Sequence, residues 1–140
     1  MAAGRRRPAQ GEGSRHEARE QAMALLYEAE LKSLEPAMLL EALPATPDPF
    51  AVKLVKGVAG RRAQVDSLVA GTAVGWEIGR MPIVDRTILR LATYELLDQP
   101  GTPVAVVIDE AVELAKEYST DASGAFVNGV LSHIARQLHR

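Results

Sequence analysis

Apolar residues recur every three or four positions along most of this chain, the period of a helix that buries one face. After a polar start, Ala18, Ala22, Leu25, Leu26 and Ala29 share one stripe, with Arg15, Arg19 and Glu20 on other faces. Ser14 followed by Glu17 has the spacing of a capping box, which predicts a first helix over 15–32. Glu35 and Pro36 open a short second helix that ends before Pro44, since proline fits a first helical position and breaks an interior one. Asp48 as cap and Pro49 at the first position open a third. Its Phe50, Leu54, Val55, Val58, Val65, Leu68 and Val69 form a seam, interrupted by Gly57 and Gly60, that reaches Gly71.

A brief turn or helix around Trp76 and Ile78 leads to Pro82. From there Val84, Ile88, Leu91, Ala92, Glu95 and Leu96 repeat with a period near 3.6 up to the DQPGTP turn. Thr102 before Pro103 is read as the cap of the next helix, with Val104, Val107, Ile108, Ala111, Val112 and Ala115 inward and an end near Tyr118. The last helix starts around Asp121 or Ser123 and turns Phe126, Val127, Val130, Leu131, Ile134 and Leu138 inward. Arg136, His139 and Arg140 sit at its negative pole. The β-branched runs 83–88 and 104–108 have the length and flanks of helices, not strands.

The prediction is an all-α protein of six to seven helices. Residues 1–13, rich in Gly and Pro with little to bury, are read as a flexible Arg-rich arm, and 14–140 as a helical domain of two groups, about 14–75 and 76–140.

Composition narrows the function. The absence of cysteine in 140 residues removes a disulfide scaffold, thiolate metal sites and a cysteine nucleophile, and fits a reducing cytoplasm. No apolar run is long enough to span a bilayer, so no membrane role is expected. Residues 1–19 hold Arg5, Arg6, Arg7, Arg15 and Arg19 against Glu12 and Glu17, a net of +3, which leaves −5 on the rest of a chain whose total is −2. A basic end on an acidic body attracts polyanions locally, and a solubilising tail is the plain alternative.

The usual catalytic strings are absent: no phosphate-cradling glycine loop, no nucleophile elbow, no zinc-protease pair. The acids Asp109, Glu110, Glu113 and Glu117 invite a metal-carboxylate reading, but no histidine follows a glutamate by three residues, and Lys116 among them favours a solvated face. Glu95 inside an apolar stripe reads best as a buried acid paired with an arginine. We therefore expect no enzyme, cofactor or metal.

The positive signal is basic. Arg5 to Arg7 on the arm, then Arg15, His16 and Arg19 on the first helical turns, can neutralise several phosphates, and arginine adds stacking and forked hydrogen bonds. That chemistry suits single-stranded RNA, whose unstacked bases also accept aromatic neighbours such as Tyr27 or Phe126. Both rings fit core packing as well, and Asn128 fits either a packing hydrogen bond or a binding contact.

The strings SRHEAREQAMALLYEAEL, MPIVDRTILRLATYELL, PVAVVIDEAVELAKEYS and FVNGVLSHIA, in this order over about 14–136, resemble the NusB family of bacterial transcription antitermination factors. The resemblance implies two packed three-helix bundles, and boxA RNA bound together with the ribosomal protein that doubles as NusE. It also implies membership of an antitermination complex on RNA polymerase, mainly on ribosomal RNA operons. By the same resemblance Arg15, His16 and Arg19 match the RNA-facing start of the first helix, Phe126 and Asn128 belong to an FVNG motif near RNA, and Asp85 lies on the helix that meets the NusE-like partner. That Arg5, Arg6 and Arg7 add charge to this contact is our own inference. The rival readings are a helical scaffold and an RNA-binding module like that of ribosomal RNA cytosine methyltransferases, and exposed seams allow a homodimer.

Overall fold

The computed structural model describes residues 12–140 except 74 and 76. Among the described residues seven α-helices follow one another: α1 (Glu12–Lys32), α2 (Pro36–Ala42), α3 (Pro49–Gly60), α4 (Arg62–Thr72), α5 (Ile83–Asp98), α6 (Val104–Tyr118) and α7 (Asp121–Gln137). A 3-10 turn, Ile78–Arg80, precedes α5. There is no strand among the described residues, and no helix there is long and apolar enough to cross a membrane.

Three expectations need correction. First, α1 already includes Glu12, so Ser14 lies within the helix and not ahead of it. Second, the predicted third helix is two. At Arg61 the backbone turns to φ −114 and ψ 21, just after Gly60, a weak helix former. Nη1 of Arg61 donates to both carboxylate oxygens of Asp98 at the end of α5 (2.7 and 2.8 Å), while Nε and Nη2 donate to Gln64 of α4 (3.1 and 2.6 Å). Third, Pro103, not Thr102, precedes the first residue of α6, and no side chain caps it. The Thr102 amide instead closes the preceding turn on the Gln99 carbonyl (3.0 Å). The cap at Asp48 stands, its carboxylate accepting from the Phe50 amide (2.8 Å), while α7 is capped by Thr120, which accepts from Ser123 N (2.9 Å).

The centre of the molecule is α5, flanked by α1, α3, α4, α6 and α7, with Asp85 and every residue from Thr87 to Leu96 buried. Its apolar side chains join the stripes read from sequence, Leu54, Val55 and Val58 of α3 and Leu131 and Ile134 of α7 among them, in one continuous core. Its charged side chains reach α1, α4 and α7. Asp85 accepts from Ser123 of α7 (2.8 Å), Arg86 and Arg90 donate to Glu30 of α1 (2.8 and 3.2 Å), and Arg90 also forks onto Asp66 of α4 (2.8 and 3.1 Å). Glu95 accepts from Arg19 of α1 (2.8 and 2.9 Å). Hydrophobic burial supplies most of the attraction but is non-directional, and these pairs fix which helix lies where. At the far end Arg140 donates to the carbonyls of Leu96 (2.6 Å) and Thr102 (2.8 Å), tying the chain terminus to the DQPGTP turn.

Candidate nucleic-acid interface

Arg15, His16 and Arg19 come from the first turns of α1 and share one end of the molecule, yet their environments differ. Arg15 is exposed, and its guanidinium carbon lies 3.9 Å from the centre of the Phe50 ring, a cation–π stack on the second residue of α3. No carboxylate lies within ion-pair distance of Arg15 among the described residues. Arg19 is only 3% exposed, 5.6 Å from the same ring and locked fork-to-fork on Glu95. The sequence stripe had turned Arg19 outward. Glu95 draws it in, because a buried carboxylate needs a partner. That Glu95 is a paired buried acid agrees with its reading from sequence.

His16 is half-buried against α6, its Nδ1 2.6 Å from Glu110 Oε1. The hydrogen bond to Glu110, together with the charges of Glu110, Glu20 and Glu113, raises its pKa above the ordinary 6.5, with partial burial opposing. On the same side the Tyr118 hydroxyl donates to Glu20 (2.8 Å), which raises the phenol's pKa. His16, Glu20 and Glu117 bring one ligand atom each within 4.8 Å of one another at the surface, and nothing beyond that proximity points to a metal there. Glu110 thus leaves the solvated acidic face expected for α6, while Asp109, Glu113 and Glu117 keep it.

The remaining candidates lie elsewhere. Tyr27 is half-buried on α1, twelve residues and roughly 18 Å along the axis from Arg15. Phe126 is partly buried and packs on the core, and Asn128 is exposed on α7, accepting from Ser132 Oγ (3.4 Å). Asp85 is buried, 5% exposed, at the start of α5. Glu95 and Asp85 are ten residues, roughly 15 Å, apart on α5, so the arginine end and the Asp85–Ser123 end are opposite. Gly124 fits a close approach between α6 and α7, since a methyl there would meet the Lys116 side chain, whereas Gly129 faces open space. Arg5, Arg6 and Arg7 lie outside the described residues.

Beside Arg15 a groove of about 600 Å³ runs between the first turns of α1, the outer face of α3 and the turn from Asp98 to Pro103. Lys53 lines it, one helical turn after Phe50. Sequence reasoning missed Phe50 and Lys53 as site residues, although their spacing of three on a helix with a basic outer face was the available signal. A smaller recess of about 280 Å³ lies under the α1–α2 corner, where Glu30, Arg62 and Arg90 belong to one ion-pair network, so their charges largely cancel.

The NusB family model matches residues 16–136. This chain belongs to the NusB family. It is 49% identical over 125 residues to the transcription antitermination protein NusB of Acidothermus cellulolyticus, covering 86% of each chain, and 47% identical over 129 residues to that of Saccharopolyspora erythraea, covering 88% and 87%. Among solved structures, T. maritima NusB superposes with a TM-score of 0.80 at 36% identity, covering 88% of this chain and 91% of that one. A structure of the antitermination factors NusB and NusE in complex with dsRNA gives 0.77 at 30% identity, covering 88% and 96%. The NusB family is non-enzymatic, and its relatives are named as antitermination proteins.

Proposed function

We propose that this chain is a transcription antitermination factor that binds boxA-like single-stranded RNA together with a NusE-type ribosomal protein. In this reading it works in the cytoplasm, within an RNA polymerase antitermination complex on ribosomal RNA operons. The observation that carries the proposal is the fold shared with a NusB that was solved with NusE and dsRNA, on a chain whose α1 presents Arg15, stacked on Phe50, beside a groove. Binding needs no bond making. Phosphate neutralisation holds the RNA, and a protein docked on another face raises the local concentration of each ligand for the other.

The N-terminal group, about 14–75, supplies the basic end through Arg15 and His16, with Arg5, Arg6 and Arg7 as an additional polycation and Tyr27 as a flanking ring. The C-terminal group, about 76–140, supplies Phe126 and Asn128. Arg19 acts by holding α1 on α5. Asp85, being buried, serves the partner surface indirectly, by fixing the first turn of α7 through Ser123. A homodimer reading rests on Leu31, Leu34 and Met38, apolar and exposed at the α1–α2 corner, and sedimentation velocity of the chain alone tests it.

Fluorescence anisotropy of a labelled boxA-like RNA against a scrambled control, with and without the NusE-type protein and at two salt concentrations, decides the main reading. Selective binding that strengthens with the partner and weakens with salt supports it. Equal binding to both RNAs favours the unspecific module, and no binding favours the scaffold.

A further inference from the structure

The groove beside Arg15 has a surplus of positive charge, because its other charged groups are used up. Arg19 is paired with Glu95, and Asp98 with Arg61 (2.7 Å), which leaves Arg15 and Lys53. Arg15 also differs from an ordinary surface arginine in resting on an aromatic ring. Phe50, fixed at the second position of α3 by the Asp48 cap, carries the guanidinium 3.9 Å from its ring centre. The cap is itself anchored to α1, as the Asp48 amide donates to Gln21 Oε1 (3.1 Å). A guanidinium plane has two faces. One side of this guanidinium is against Phe50, and Arg15 is exposed and borders the groove, so the groove gives access to the side away from the ring.

We propose that this groove is a single-nucleotide subsite, in which an unstacked RNA base lies on the free face of Arg15 to complete a Phe50–Arg15–base stack while Lys53 takes a neighbouring phosphate. The inference rests on the RNA-binding reading above. It assigns Phe50 as a positioning residue that acts through Arg15. Planar stacking needs guanidinium specifically, whereas phosphate neutralisation needs only charge, so the two roles separate experimentally. A base inside a duplex is already stacked on both faces and cannot enter, so the subsite is selective for single strands.

The test uses the full chain and a single-stranded boxA-like RNA in which 2-aminopurine is walked along the sequence, read by fluorescence quenching, with affinity measured at several salt concentrations. The wild-type chain should quench the probe at one position. Arg15→Lys keeps the charge and loses the plane. It should abolish that quenching and weaken binding roughly tenfold, with the salt dependence unchanged. Phe50→Leu should behave as Arg15→Lys does, and Phe50→Tyr should restore both readouts. Lys53→Gln should keep the quenching but reduce the slope of log affinity against log salt by about 0.7. Arg15 and Lys53 are exposed, so those two variants are not expected to disturb folding. Quenching and affinity unchanged in Arg15→Lys, an unchanged slope in Lys53→Gln, or equal affinity for a duplex would overturn the subsite and leave RNA binding intact. Failure of the wild-type chain to bind any RNA would overturn both readings.

Discussion

Arg19 and Glu95 meet in the interior as two parallel hydrogen bonds of 2.8 and 2.9 Å, with side chains only 4% and 2% exposed. An arginine at the basic end of the chain thus has its charge spent inside the fold. Removing one partner of such a pair leaves a buried charge without compensation, which costs about 3–5 kcal/mol. Arg19→Ala should lower stability by that amount in urea denaturation, and Arg19→Met with Glu95→Leu should recover most of it. A loss within about 0.5 kcal/mol, the range of surface substitutions, would contradict the burial. Arg15→Ala is expected to fall in that surface range, so Arg15 and not Arg19 is the clean probe of RNA binding.

Gly57 lets α3 lie against Tyr94 of α5, because a methyl group there would overlap the end of the tyrosine ring. Overpacking of this kind costs about 1–3 kcal/mol. Gly57→Ala should therefore destabilise the protein. Its cost should shrink in a Tyr94→Leu background, where the offending ring atoms are gone. Equal costs in both backgrounds would place the effect elsewhere than in this contact.

His16 couples stability to pH. Its folded pKa is raised, chiefly by the hydrogen bond to Glu110, so the folded state holds the proton more tightly than the unfolded chain does. The stabilisation is complete below about pH 6.5, the unfolded value, and is lost as pH rises through the folded pKa. The charged groups around the imidazole are Glu20 on α1 and Glu110, Glu113 and Glu117 on α6, with Arg19 of α1 3.8 Å from Glu110. Denaturation midpoints should fall between pH 6 and pH 8 more in the wild type than in His16→Gln, and an NMR titration of the ring should put its pKa above that of a denatured control. Parallel midpoints in the two proteins would show that the pair does not form.

Ser123 Oγ donates to Asp85 Oδ2, while Asp85 Oδ1 is buried with no hydrogen-bond partner. Ser123→Ala removes the one side-chain partner of this carboxylate among the described residues. The expected loss is about 1–3 kcal/mol, measured by thermal or urea unfolding. A neutral result would mean that Asp85 is satisfied by water.

The helices were legible because an aliphatic core writes a 3.6-residue period into the sequence, and the boundaries at Pro36, Pro49 and Tyr118 follow from proline and polar punctuation. The break at Arg61 was not legible. Gly60 hints at it, but the arginine that sits at the break is held by Asp98, thirty-seven residues later, a partner no local pattern shows. Arg19 failed for the same reason: its stripe position says outward, and Glu95, placed by tertiary packing, draws it inward. Local pattern supplied Arg15, His16 and Arg19 together, but the acids that set the last two apart from Arg15, Glu110 for His16 and Glu95 for Arg19, come from other helices. Phe50 was counted as seam because the cation resting on it comes from α1.

The central position of α5 has a consequence for how the molecule comes apart. A helix enclosed by five others has no half of the chain that can shelter it alone, so separating the early helices from the late ones exposes it along its length. The protein should then unfold as one cooperative unit, with the amides of residues 87–96 exchanging with solvent only through global opening.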